Sequence, residues 1–99
     1  MERWQQIESV IMAAIDDLNE HVAPEMRLRK ALDEQIYGRG GKLDSLALVN
    51  FILDVEERIN SELDVSVSLA DDSAVSQSRS VFRTVSSLAE YIGRLVGEQ

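Results

Sequence analysis

Apolar positions at the start of the chain recur with helical spacing. Trp4, Ile7, Val10, Ile11, Ala14, Ile15 and Leu18 form one stripe, and Glu8, Asp16, Asp17 and Glu20 lie off it. This predicts an amphipathic helix that fades between Asn19 and Pro24, where proline removes a donor and restrains the residue before it. A second pattern runs from about Ser45 to Leu63. Leu48, Ile52, Val55, Ile59 and Leu63 cluster on one face with Phe51 at its edge, and Ala47, Asn50, Asp54, Glu57, Arg58 and Ser61 lie opposite. Leu46, Val49 and Leu53 form a third side beside Glu56 and Glu57. That surplus of apolar surface is either covered by a connector or offered to a partner. In the last pattern Thr84 is a cap, Val85, Leu88, Ala89, Ile92, Leu95 and Val96 form the stripe, and Gly97 permits a stop.

The stretches between these helices are long. From Pro24 to Leu43, Leu28, Leu32 and Ile36 are spaced by four, which suits a helical turn or two, before Gly38, Gly40 and Gly41 break regular structure. Arg27, Arg29, Lys30, Arg39 and Lys42 read as charges on a solvated loop. In the serine- and aspartate-rich stretch from Asp64 to Ser80, Val65, Val67 and Leu69 alternate like a strand. A lone strand has no partner, so an extended linker is expected, with a short helix around Ala74 and Val75 between Asp71 and Gln77. The expectation is one all-α domain over residues 1–99. Connectors of about 20 residues exceed the usual helix-to-helix range of about 2–8, and long connectors tend to be functional.

Composition narrows the function. Ten basic and 18 acidic residues give a net charge of −8. That disfavours nucleic acid and anionic membranes and favours partners with basic patches. There is no cysteine, hence no disulfide or thiolate metal site. No apolar run approaches the roughly 18 residues that span a bilayer. The first 20 residues are amphipathic and acidic, unlike a signal or transit peptide, so a cytoplasmic protein is expected.

The single imidazole, His21, excludes a histidine-based triad or histidine-rich metal site and is read as a cap on the first helix. Asp16-Asp17 and Asp71-Asp72 point about 100° apart on a helix and are not acid–base pairs. Trp4 and Tyr91 read as core or core-edge residues, and Tyr37 as an anchor for the first connector. Ser45 remains. It stands where a glycine-rich loop becomes a helix, behind an Asp44 N-cap. Free amides and the positive helix end there stabilise an anionic substituent such as a phosphodiester.

Leu43-Asp44-Ser45-Leu46, then Val49, Ile52, Val55-Glu56-Glu57 and Ile59, then Phe82-Arg83-Thr84-Val85, Leu88-Ala89-Glu90-Tyr91-Ile92, resemble an acyl carrier protein over nearly the whole chain. The resemblance implies a four-helix bundle with a long first connector and a short third helix. It implies that a phosphopantetheinyl transferase esterifies Ser45 with 4′-phosphopantetheine from coenzyme A, with magnesium, and that Asp44 contacts that enzyme. The thiol of the arm would carry acyl groups as thioesters for fatty-acid, lipid or polyketide-type biosynthesis. Leu46, Val49, Leu53, Glu56 and Glu57 would form the recognition face for acyl-loading and acyl-transfer enzymes. Leu48, Phe51 and Ile52 would line an acyl groove. Such a chain is expected to be a monomer and a substrate of enzymes rather than an enzyme. Ala47 and Asn50 replace acids of the common fatty-acid carriers, and Lys42 replaces a glycine. The stretch from Leu63 to Phe82 is also longer than usual. These differences point to a specialised stand-alone bacterial carrier. An aminoacyl or peptidyl carrier and an unmodified helical interaction module are the alternatives.

Overall fold

The computed structural model describes residues 3–69 and 81–97. Helix α1 spans Arg3–Asn19, α2 spans Ser45–Leu63 and α3 spans Val85–Gly97, with a 3₁₀ turn at Pro24–Met26. Among the described residues there is no strand, only an isolated antiparallel bridge between Gln35 and Thr84. The all-helical expectation holds for these residues, and the boundaries of α2 match its apolar pattern. The short helix expected between Asp71 and Gln77 lies outside the described residues, so three α-helices are seen and not four.

α1 packs against both α2 and α3. Its buried stripe is Ile7, Val10, Ile11, Ala14 and Ile15. It faces Leu48, Phe51, Ile52, Val55 and Ile59 of α2 and Val85, Leu88, Ala89, Ile92 and Val96 of α3 within one core. Phe51 belongs fully to that core rather than to its edge. Trp4, expected in the core or at its edge, is 40% exposed. Arg3 and Gln5 beside it are exposed too, so packing begins one turn later, at Ile7.

The connectors are structural. Leu28, Ile36, Leu43, Val67, Leu69 and Phe82 are buried, and none lies in an α-helix. No helical turn forms over Leu28, Leu32 and Ile36, because the backbone groups there have other partners. The Asn19 side chain pairs both ways with Leu28, accepting from its N–H and donating to its carbonyl, each at 2.9 Å. The carbonyls of Leu32 and Glu34 accept from Ser86 and Val85, satisfying first-turn amides of α3. Ile36 donates to the Arg83 carbonyl at 2.7 Å and accepts from Leu43 at 3.0 Å. Leu32 itself is left 40% exposed.

The stretch after α2 is extended, as expected, but it is docked rather than free. Asp64 adopts a left-handed conformation (φ 55°) and ends the helix. Asn60 then accepts from Val67 N–H at 2.8 Å and donates to its carbonyl at 3.0 Å, a copy of the Asn19 device. At α3, Thr84 and Ser87 cap each other reciprocally: Ser87 N–H donates to Thr84 Oγ1 and Thr84 N–H to Ser87 Oγ. Tyr91 is a core-edge residue set edge-on to Phe82 at 6.2 Å.

Candidate functional site

The site is assembled by the connector that precedes α2. Gly38 and Gly40 take φ of 90° and 81°, and Gly41 N–H donates to the Gly38 carbonyl at 2.9 Å. A side chain at Gly41 would stand 2.5–2.7 Å from the backbone of Tyr37, so only glycine lets the loop close on that residue. Leu43 N–H then joins the Ile36 carbonyl and delivers the chain to α2.

Beneath this loop lies Glu34, 4% exposed. Its carboxylate accepts from the Arg29 backbone at 2.5 Å, from Arg29 Nε at 3.4 Å and from Lys42 Nζ at 3.1 Å. Burial pushes its carboxyl up. The Arg29 amide and the Lys42 ammonium pull it down further, and the net position is below the ordinary glutamate value. Lys42 also donates to the Arg27 carbonyl at 2.8 Å. The basic cluster is therefore not simply solvated: Arg29 and Lys42 neutralise a buried acid, and Lys30 pairs with Asp16 at 3.1 Å.

Asp44 is the N-cap of α2, in extended conformation, and its Oδ1 accepts from Ala47 N–H at 2.8 Å. Ser45 is the first helical residue and is exposed. The first amides of a helix lack intrahelical acceptors, so those of Ser45 and Leu46 have none within α2. That hydroxyl lies 3.2 Å from the hydroxyl of Tyr37. Sequence reasoning missed this contact. Tyr37 was legible only as an anchor, because seven residues of irregular backbone separate it from Ser45.

Leu46 is 72% exposed, Val49 45% and Leu53 46%, with Glu57 exposed next to them. Glu56, expected on the same recognition face, is half-buried and accepts from Leu69 N–H at 2.6 Å. It holds the second connector, so the free part of the face is Leu46, Val49, Leu53 and Glu57.

A groove of about 340 Å³ runs between the end of α1 and the first half of α2. Ala14, Leu18, Ala47 and Phe51 are among its apolar lining, and Asp17, His21, Asn50 and Asp54 among its polar lining. Of the three expected groove residues, all buried in the core, only Phe51 also borders the groove. His21 contacts the Asp17 carbonyl through Nδ1 at 2.8 Å, the capping role expected of it.

No protein-family model, no curated protein and no solved structure matches this chain. Among the described residues no helix is long and apolar enough to cross a membrane.

Proposed function

We propose that this chain is a carrier protein of the acyl carrier type, with Ser45 as the attachment point of a 4′-phosphopantetheine arm. One observation carries the reading. Ser45 is an exposed hydroxyl on the first turn of a helix whose cap, Asp44, is already engaged with Ala47. Ser45 thus has no capping duty, and its setting suits a phosphodiester. The first-turn amides of α2 that lack intrahelical acceptors and the positive end of its dipole favour an anion on Oγ. The residues present therefore fit the group. The arm, once bound, supplies the thiol that a cysteine-free chain lacks.

The chain's own residues would do the following. Asp44 fixes the start of α2, and with it the direction of Ser45. Glu34, Arg29 and Lys42 brace the loop behind it. Leu46, Val49 and Leu53 offer apolar surface to the transferase and to acyl-handling enzymes, and Glu57 meets a basic patch on them. The net charge of −8 favours such partners and disfavours nucleic acid. The short helix expected within residues 71–77 would complete a four-helix carrier fold. The largely apolar groove along Ala47 and Phe51 favours acyl cargo over aminoacyl or peptidyl cargo, in fatty-acid, lipid or polyketide-type biosynthesis.

The test is labelling with a fluorescent coenzyme A analogue, magnesium and a broad-specificity phosphopantetheinyl transferase. Wild-type chain should become fluorescent in a denaturing gel and Ser45→Ala should stay dark. The exposed Leu46, Val49 and Leu53 also suit an unmodified helical interaction module, and absence of label from the wild type would favour that reading.

A further inference from the structure

We propose that Tyr37 is a positioning residue for the Ser45 nucleophile. Its hydroxyl donates a hydrogen bond to Ser45 Oγ, selects one side-chain rotamer and leaves the serine proton facing outward. This rests on the carrier reading of Ser45 and assigns a residue that the motif around Asp44 and Ser45 does not contain.

The two oxygens lie 3.2 Å apart, and either can donate in the unmodified chain. No other side chain among the described residues hydrogen-bonds Ser45. A lone exposed serine distributes itself over three staggered rotamers. One fixed partner reduces that choice, and it matters most where the hydroxyl must meet an electrophile in line.

The partner is fixed by its frame. The Tyr37 ring packs against the core. Ile36, just before it, is tied to Arg83 and Leu43, and Gly41 folds onto the Tyr37 backbone. The phenol therefore does not depend on the mobility of an exposed side chain.

Chemistry sets the direction of the bond. After attachment Oγ is an ester oxygen with no hydrogen, so only Tyr37 can donate. Before attachment, a serine donating to Tyr37 would turn its own proton towards the ring. With Tyr37 as donor, one lone pair of Oγ is engaged and the other is free. In the transfer, Ser45 Oγ forms the new bond to the pantetheine-bearing phosphorus of coenzyme A. The bond from that phosphorus to the bridging oxygen breaks, and the nucleotide half leaves with the electron pair. The serine proton passes to a base of the transferase. Tyr37 keeps its proton throughout, and the contact requires no reorientation.

The experiment uses the full chain and Tyr37→Phe, which keeps the ring and removes the hydroxyl. Two readouts are taken. In the unmodified protein, Hα–Hβ couplings of Ser45 should report one dominant rotamer in wild type and averaging in Tyr37→Phe, with the amide spectrum otherwise unchanged. In the transferase reaction, kcat should fall about 3- to 10-fold, the range that one neutral hydrogen bond is worth, with KM within about twofold. Equal couplings and equal kcat would overturn the proposal, as would a change confined to KM. If wild type is not modified at all, the carrier reading fails, and the couplings alone decide whether Tyr37 orders Ser45.

Discussion

Glu34 shows how a single buried charge shapes the site from a distance. Its carboxylate joins Arg29 to Lys42, and Lys42 stands two residues before the cap of α2. Replacing it by glutamine keeps the shape and removes the charge that both cations answer. Glu34→Gln should cost about 1–3 kcal/mol of stability at neutral pH, measured by urea unfolding. The folded-state carboxyl lies below the ordinary glutamate value. Its contribution is therefore complete above that value and fades as pH falls through the folded one, so the two proteins should converge in acid. A difference that grows on acidification would contradict this account. The glycines before Ser45 make a second prediction. Gly38→Ala meets open space but a left-handed backbone, and should cost about 1–2 kcal/mol. Gly41→Ala drives a methyl group into the Tyr37 backbone. It should be worse than Gly38→Ala in urea unfolding and should also slow modification of Ser45.

The helices were legible in the sequence where period and capping agreed. The boundaries of α2, its Asp44 cap and its core face follow from local chemistry, and so does the Thr84 cap of α3. The docking of the connectors was not legible. Their order comes from pairings nine, seven and 13 residues apart: Asn19 with Leu28, Asn60 with Val67, and Glu56 with Leu69. No periodicity encodes such contacts. Leu32 matched a helical spacing and still lies exposed, because the carbonyls around it serve α3. The Asn60 clamp is testable: Asn60→Ala should cost about 1–3 kcal/mol and speed amide exchange at Val67. On α2 the two faces should behave oppositely. Ile52→Ala empties a core site and should cost about 2–5 kcal/mol. Leu53→Ser, on the exposed face, should stay within about 0.5 kcal/mol in unfolding while raising the KM of the transferase reaction. Glu57→Lys should lower kcat/KM for modification at low salt, with the difference closing as salt is added. Glu56→Lys is the poorer probe, because it also releases Leu69.

At the scale of the whole molecule, the described residues place three helices, the first connector and both ends of the second around one core, and that core carries an exposed serine on a braced helix end. The apolar stripes of the sequence foretold the helices, and the Asp44-Ser45 junction foretold where α2 begins. Neither foretold Tyr37, which reaches Ser45 only because the first connector folds back through Ile36 and Gly41. The acidic composition and the exposed Leu46, Val49 and Leu53 of α2 are the features on which the proposed carrier role rests. Modification of Ser45 is read directly by intact mass. Purified wild type and Ser45→Ala are incubated with coenzyme A, magnesium and a broad-specificity phosphopantetheinyl transferase, and both masses are taken. Wild type should gain one phosphopantetheinyl unit and Ser45→Ala none. No gain on wild type, or an equal gain on both, would contradict modification at Ser45.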